Sequence, residues 1–413
     1  MEYGLIGEKL GHSHSPRIHR LLAGYDYQLR ELSPQELPAF LEAGDFRGLN
    51  VTIPYKQAVV PYCGALGEGA RRIGCVNTLV RRPDGTLFGE NTDYAGFRYT
   101  LARSGIRPTG RRCLVLGTGG TSLTVARVLE DLGAASVDRV SRRGALNYET
   151  VYQRQDAEII VNTTPVGMYP NNGGSPLDLS RFPGLQGAAD VVYNPLKTAF
   201  RLQAEALGIP FAGGFPMLAA QARAAAELFT GRPIPDQRLE EVCREVAGEV
   251  TNIVLIGMPG SGKSAVGAAL AAALGRELLD SDEEIVRRAG RPIPEIFSRE
   301  GETRFRALES QVLADLGRRS GVVIATGGGA VLRGENLPLL RQNGRLCRLR
   351  RDVSLLPVEG RPISQSCGSL SELERQREPF YAAAADWTVD NNGPLEQTAD
   401  QILKLFREQG GIL

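Results

Sequence analysis

Apolar positions fall in short runs that alternate with stretches of helical periodicity along the whole chain. Leu114-Val115-Leu116, Glu158-Ile159-Ile160-Val161, Ile253-Val254-Leu255-Ile256 and Val322-Val323-Ile324-Ala325 have strand length. Helical stretches such as Leu123–Leu132 and Ala265–Leu274 separate them. Such alternation predicts α/β architecture with parallel sheets. Leu49-Asn50-Val51-Thr52-Ile53-Pro54-Tyr55-Lys56 alternates with period 2 and reads as a strand ending in Lys56. No repeat recurs at a fixed period. At roughly 100–200 residues per domain, a chain of 413 residues holds two to four domains.

Two glycine loops each follow a predicted strand and open a helix. Gly117-Thr118-Gly119-Gly120-Thr121-Ser122 partly fits G-x-G-x-x-G, with serine at the third glycine. Gly257-Met258-Pro259-Gly260-Ser261-Gly262-Lys263-Ser264 fits G-x-x-x-x-G-K-[ST] in full. They are too far apart for one nucleotide unit, so two nucleotide sites in separate domains are expected. In the second loop, backbone N–H groups curl around phosphates, Lys263 reaches the terminal ones, and the Ser264 hydroxyl can ligate Mg2+. Behind the first loop, the next strand ends at Ser141-Arg142-Arg143. Arginine there suits a ribose 2′-phosphate, which favours NADP(H) over NAD. The bland alternative is a pair of surface arginines.

Composition narrows the classes. The chain is 42% hydrophobic and 23% charged, which excludes a mainly disordered protein. Lys and Arg number 48 against 47 Asp and Glu, so no net charge draws the chain to nucleic acid or an anionic membrane. No apolar run reaches the roughly 18–20 residues of a membrane span. Met1–Gly7 lacks the basic start of a signal peptide. Six cysteines lie scattered without a CxxC pair and read as reduced thiols. A cytoplasmic enzyme acting on small molecules is the expectation. The three histidines, His12, His14 and His19, share one segment. Sites elsewhere must therefore use Asp, Glu, Lys, Tyr or Cys for proton transfer.

Downstream of the second loop, Leu279-Asp280-Ser281-Asp282 ends an apolar run, and period 2 puts both carboxylates on one side. One would serve Mg2+ and the other an acceptor hydroxyl; the alternative is a helix cap at Asp282. Gly301–Glu309 reads as helix with Glu302, Arg306 and Glu309 on one face, or as a solvated ion-pair ladder. Ala325-Thr326-Gly327-Gly328-Gly329 follows a strand, and its glycines let a substrate approach the backbone. Arg361-Pro362 and Arg377-Glu378-Pro379-Phe380-Tyr381 complete the series.

This ordered set, over about residues 252–390, resembles shikimate kinase. The resemblance implies ATP contacts from Gly260, Ser261, Gly262, Lys263, Ser264, Ala265 and Arg361, and Mg2+ held by Ser264 and, through water, Asp280. It implies that Asp282 binds the ring hydroxyls and orients or deprotonates the attacking one, with Lys263 as the catalytic cation. Arg306 and Arg377 would clamp the substrate carboxylate, with Gly328 beside the ring. The stretch from Asp352 to Arg361 is shorter than the family's lid region, and the arginine that often stacks on adenine there has no counterpart in it.

The first half carries Ser13 and Ser15 in Gly11-His12-Ser13-His14-Ser15-Pro16, the Leu49–Lys56 run, Asn77-Thr78 and Asn91-Thr92-Asp93. Asn162–Met168, Asp190-Val191-Val192-Tyr193-Asn194-Pro195, Gly214 and Gln221 extend the pattern. Together, over roughly residues 1–232, they resemble shikimate dehydrogenase. By that resemblance Ser13 and Ser15 bind the substrate carboxylate, while Thr52, Asn77, Asp93, Tyr193 and Gln221 hold its hydroxyls. Lys56, paired with Asp93, is the acid–base residue. Gly117, Thr118, Gly119, Gly120, Thr121, Ser141, Arg142, Val191 and Gly214 line the NADP site. The link from Arg143 to Asp156 is too short for the helix expected after the second Rossmann strand.

The expected organisation is an α/β substrate domain (1–100), a Rossmann-like NADP domain (101–232) whose last helices pack back on the first, a linker helix (233–250) and a P-loop kinase domain (251–413). The two resemblances name consecutive chemistry: reduction of 3-dehydroshikimate, then phosphorylation of shikimate. The alternatives are one active half, a dehydrogenase acting on quinate or a related polyol acid, or a nucleotide sensor with dead sites.

Overall fold

The structure is a computed structural model and describes residues 1–11, 13–356 and 369–409. Contacts divide the chain into two units, the first made of Met1–Asn194 and Thr198–Val246 and the second of Ala247 onward together with Pro195–Lys197. The first unit holds two sheets. Strands β1 (Tyr3–Gly7), β2 (Gln28–Glu31), β3 (Gly48–Val51), β4 (Ala65–Leu66), β5 (Thr78–Arg81) and β6 (Leu87–Glu90) form one in the order β2-β1-β3-β5-β6-β4. This sheet is mixed, unlike the parallel sheets that strand–helix alternation predicts. β5 runs antiparallel to both β3 and β6. Arg82–Thr86 is too short for a parallel crossover, and Pro83-Asp84-Gly85 closes a hairpin, with Gly85 at φ 85°.

The second sheet is wholly parallel: β7 (Arg112–Leu116), β8 (Ser136–Val140), β9 (Ile159–Asn162), β10 (Gly187–Asp190) and β11 (Phe211–Ala212), ordered β11-β10-β9-β7-β8. Its central strands β7 and β9 are mainly apolar because helices cover both faces, whereas the edge strand β8 carries Asp138 and Arg139. Leu114, Leu116 and Ile160 face one core cluster, and Val115, Ile159 and Val161 the other. After β8 the chain makes only a short 3-10 turn at Val151–Gln153 before β9. The long helix Gly214–Thr230 returns to the first sheet, where Ala225 and Phe229 pack on Tyr3 and Tyr27. The helix Asp236–Val250 follows, and its Leu239 and Cys243 are buried on Ala219 and Ala220. It is therefore packed, not a solvated connector.

The second unit carries one parallel sheet: β12 (Asn252–Ile256), β13 (Leu278–Asp280), β14 (Val323–Ala325), β15 (Gly344–Arg350) and β16 (Trp387–Asp390), ordered β13-β14-β12-β15-β16. All five residues of β12 are buried. Arg276 donates to Gly248 O and Thr251 O at 2.8 Å each, tying the entry segment to this unit. Among the described residues, no helix is long and apolar enough to cross a membrane.

Each unit has its own sheets and cores, so separate chains 1–246 and 247–413 should each fold. Trp387, the single tryptophan, is 8% exposed in the second unit. Its fluorescence should give the same urea midpoint in fragment 247–413 as in the full chain. A fragment that stays unfolded in buffer would show that the units depend on each other.

Candidate active sites

In the first unit, Lys56 lies in the turns after β3. The strand ends at Val51, not at Lys56, because Pro54 has no N–H to continue a ladder. Asp93 stands in the first turn of the helix Thr92–Arg103. Lys56 Nζ donates to Asp93 Oδ2 at 2.5 Å, and the two side chains are 14% and 10% exposed. Buried amides aim the carboxylate. Asn91 caps the helix by accepting from Tyr94 N at 3.3 Å. Its Nδ2 donates to the Cys75 carbonyl and Thr124 Oγ1, each at 3.1 Å. Asn77 Oδ1 accepts from Thr92 N at 2.6 Å. That occupies the amide oxygen, while the side-chain Nδ2 of Asn77 donates to no described residue.

Ser13 Oγ accepts from Ser15 N at 3.2 Å where the helix Ser15–Ala23 begins. Between them, the His14 ring lies 6.0 Å from the rings of both Tyr193 and Phe215. The serine turn is thus beside the loop after β10. A Cβ on Gly214 would lie 2.5 Å from Val191 O, so only glycine lets helix and loop meet. Gln221 is buried, its Nε2 donating to Leu218 O at 2.9 Å. Gly96, in the Asp93 helix, allows it close: a Cβ there would be 3.0 Å from Gln221 Cβ. Thr52 N donates to Ile6 O at 2.9 Å, and Thr52 remains partly exposed.

The glycine loop reaches this group. A Cβ on Gly120 would lie 3.7 Å from Lys56 Cβ. Gly117 has φ 118°, and a Cβ on it would lie 2.7 Å from Thr163 Oγ1. Gly119 faces nothing within 4 Å, and the helix Gly120–Asp131 has no side-chain cap. Uncapped N–H groups with an open approach fit a pyrophosphate. Thr118 is exposed at the loop and Thr121 half-buried. Ser141 and exposed Arg142 follow β8 directly; neither Arg142 nor Arg143 pairs with another described residue.

Asp190 binds this half together, and the sequence reading gave it no role. It is 3% exposed at the end of β10, opposite Asn162 of β9. Its Oδ1 accepts from Asn162 Nδ2 and Val192 N at 3.0 Å each, and its Oδ2 from Thr198 Oγ1 at 2.8 Å. Asn162 Oδ1 in turn accepts from Thr164 N at 3.0 Å. One carboxylate thereby fixes the loops after β9 and β10 and the start of the helix Ala199–Ala206. All three donors are neutral, and burial pushes its carboxyl up to about 7.

In the second unit, Gly257, Gly260 and Gly262 take φ of 145°, 85° and 92°, opening the helix Lys263–Leu274. Lys263 Nζ donates to Gly257 O at 3.0 Å and Met258 O at 2.9 Å. Ser264 Oγ donates to Asp280 Oδ2 at 2.6 Å. Asp280 Oδ1 accepts from Asp282 N at 2.9 Å. Asp280 is therefore the cap of the helix Ser281–Ala289, and Asp282 lies in its first turn. This corrects both sequence readings: the two carboxylates are not related by strand period, and the cap is not Asp282. A hydroxyl and a carboxylate in contact fit Mg2+, which keeps most of its ligands as water and phosphate.

A cavity of about 370 Å³ collects Gly260, Lys263, Ser264, Ala265, Asp280, Asp282, Arg306, Gly328 and Arg377. Burial, with Asp280 alongside, pushes the Asp282 carboxyl up to about 6. Arg306 Nη1 donates to Glu309 Oε2 at 2.7 Å, with Glu309 fully buried. That buried pair excludes the solvated ladder. Burial raises the Glu309 carboxyl despite Arg306 beside it, and its Oε1 has no partner. Arg377 Nη1 and the Tyr381 hydroxyl both donate to Gly328 O, at 3.1 and 2.5 Å. The glycines are needed for the protein's own side chains too: a Cβ on Gly327 would lie 2.7 Å from Asp282 Oδ1. Ser261 is buried within the loop, and its carbonyl accepts from Asn391 Nδ2 at 2.7 Å. Arg361 lies outside the described residues. Glu309 was read only as part of a helix face, and Asn391 and Arg351 carried no sequence signal, since strand-end residues match no motif.

The shikimate kinase family model matches residues 259–407. The model for the shikimate dehydrogenase substrate binding domain matches residues 5–79. A shikimate dehydrogenase (NADP(+)) of Moorella thermoacetica is 36% identical over 274 residues, covering 59% of this chain and 92% of the relative. The structure of shikimate 5-dehydrogenase from Thermus thermophilus, in complex with NADP(H) and shikimate, is 32% identical with TM-score 0.54, covering 59% of this chain and 99% of that one. Quinate dehydrogenase from Corynebacterium glutamicum, in complex with NAD, is 29% identical with TM-score 0.54, covering 59% and 98%.

The Asp190 network gives a signed prediction. The native carboxyl holds its proton up to about 7, while the unfolded one ionises near the ordinary value of 3.8. Between those values the native state binds more protons, so stability falls as pH rises, by about 1.4 kcal/mol per unit at most. Asp190→Asn keeps the shape and accepts from Val192 N, and it never ionises. Its urea stability should lack this fall and exceed the wild type's by more at pH 8 than at pH 5. Parallel pH profiles would show that no charge is buried at Asp190.

Proposed function

Since the chain belongs to the shikimate dehydrogenase family and carries a shikimate kinase domain behind it, we propose that one polypeptide runs two consecutive reactions. The first unit reduces 3-dehydroshikimate to shikimate with NADPH. The second phosphorylates shikimate to shikimate 3-phosphate with ATP and Mg2+. The observation that carries the first reading is the partly shielded Lys56–Asp93 pair against the cofactor loop. The second is carried by the cavity that joins Lys263 to Asp282, Arg306 and Arg377.

In the dehydrogenase site, Ser13 and Ser15 hydroxyls take the substrate carboxylate. The free Asn77 amide N–H groups, with Thr52, Tyr193 and Gln221, take ring hydroxyls. The cofactor, when bound along Gly117–Thr121, supplies the hydride, and Ser141 and Arg142 meet its 2′-phosphate. Lys56 gives its proton to the oxygen of the ketone as negative charge grows there, and Asp93 keeps the ammonium aligned. In the kinase site, Gly260–Ala265 cradle the phosphates. Ser264 and Asp280 would hold Mg2+, which supplies charge neutralisation. Asp282, with its pKa near working pH, accepts the proton of the attacking hydroxyl. Arg306 and Arg377 present planar forks to the acceptor carboxylate. Phosphoryl transfer needs such positioning and charge neutralisation more than covalent help.

A quinate activity is the second reading, favoured by the likeness to the Corynebacterium enzyme. Replacing shikimate by quinate in the reverse, NADP+-reducing assay decides it.

Lys56→Ala should lower NADPH oxidation with 3-dehydroshikimate by roughly 10²–10⁴-fold and leave ADP release with shikimate unchanged. Lys263→Ala should do the converse. A loss below threefold in the Lys56 variant would remove it from the acid–base role.

The kinase kcat/KM should fall as pH drops through about 6, where Asp282 takes up a proton. Asp282→Asn should flatten that limb at a low residual rate. An unchanged limb in the variant would assign it to another group.

A further inference from the structure

Arg351 follows the last residue of β15, the strand paired with β12 that leads into the phosphate loop. A Cβ on Gly262 would lie 3.7 Å from Arg351 Nη1 and 2.5 Å from Asn391 Nδ2. Arg351 Nε is buried without a hydrogen-bond partner, and no described residue pairs with its guanidinium. The neighbouring strand arginines differ: Arg348 pairs with Glu378, and Arg345 with Asp386. A partly buried cation left unpaired is unfavourable unless a ligand satisfies it.

The surroundings are held in place. Asn391 Nδ2 donates to Ser261 O at 2.7 Å, and its Oδ1 accepts from Thr398 Oγ1 at 2.9 Å. Asp352 N donates to Asn392 Oδ1 at 2.8 Å. With Asn391 N donating to Arg350 O at 2.7 Å, both flanks of Arg351 are tied to the loop after β16, which Asn391 joins to the phosphate loop. Neither Arg351 nor Asn391 lines the cavity that holds Asp282, Arg306 and Arg377. At the acceptor side, Gly328 abuts Pro259, a Cβ there lying 2.6 Å from Pro259 Cγ. A nucleotide whose terminal phosphate points at Asp282 would leave the cavity past Gly262, beside Arg351.

We propose that Arg351 binds the nucleoside end of the nucleotide, setting its planar cation against the base. This deepens the kinase reading and rests on it for the direction of the nucleotide.

The test is calorimetric binding of ADP, AMP and inorganic tripolyphosphate to the full chain, without any acceptor. Arg351→Ala should weaken ADP and AMP about tenfold and leave tripolyphosphate within twofold. Arg351→Lys, which keeps the charge and loses the plane, should fall between. Unchanged Trp387 fluorescence verifies folding of both variants. Wild-type affinity for ADP in Arg351→Ala would overturn the proposal, as would an equal loss for tripolyphosphate. If the wild type binds ADP with this pattern yet releases none with shikimate, the acceptor assignment falls and Arg351 stands. A wild type that binds no ADP overturns both.

Discussion

A parallel sheet brings the carboxyl ends of all its strands to one edge, and both nucleotide sites depend on that constraint. In the first unit, register sets Leu116 beside Asn162 and Asn162 beside Asp190. The glycine loop, the Thr163 hydroxyl and the Asp190 carboxylate thus meet without any long-range device. In the second, Leu255 lies beside Ala325, and Ala325 beside Asp280. The phosphate loop, the triple glycine and the Asp280 cap therefore leave one edge together. Helix N-termini add unpaired N–H groups at the same edge, where anions are favoured.

Burial then decides what each charged group does. Lys56 and Asp93 satisfy one another while keeping partial access to solvent, which suits proton delivery. Arg306 and Glu309 are deeper, and the pair fixes the arginine's position at the cavity wall. Asp190 has only neutral donors, so its burial stores instability that rises with pH while it orders two loops. Asp282 lies between these cases: Lys263 and Arg306 partly offset desolvation and the nearby Asp280, leaving a carboxyl that titrates near neutrality. Four acidic groups thus differ in role through their neighbours, not through their residue type.

Legibility in the sequence followed the length of backbone that a feature constrains. Both glycine loops were readable because turn, strand and helix must coincide there, and the apolar runs Ile253–Ile256 and Ile159–Val161 were readable as buried strands. The Leu49–Lys56 run misled because alternation continues past the point where Pro54 ends pairing. Asp280 and Asp282 are two residues apart in either conformation, so spacing alone could not separate strand from cap. The antiparallel pairing of β5 was available in Pro83-Asp84-Gly85 but was outweighed by the general alternation. Asp190 and Arg351 were beyond reach: their significance lies in what surrounds them, which the linear pattern does not contain.

Gly117 and Gly119 differ in how they can evolve. Every codon change that replaces a glycine by another amino acid introduces a Cβ. At Gly117 that carbon meets Thr163 Oγ1 at 2.7 Å in a backbone with φ 118°, so variants there lose the fold's local geometry and are closed as starting points. At Gly119 the same carbon meets no protein atom within 4 Å. A lineage can therefore change Gly119 with the scaffold intact and feel the change only in how closely a ligand approaches. Two glycines of one loop thus answer to different steric constraints, one set by the protein's own atoms and one by whatever approaches from outside.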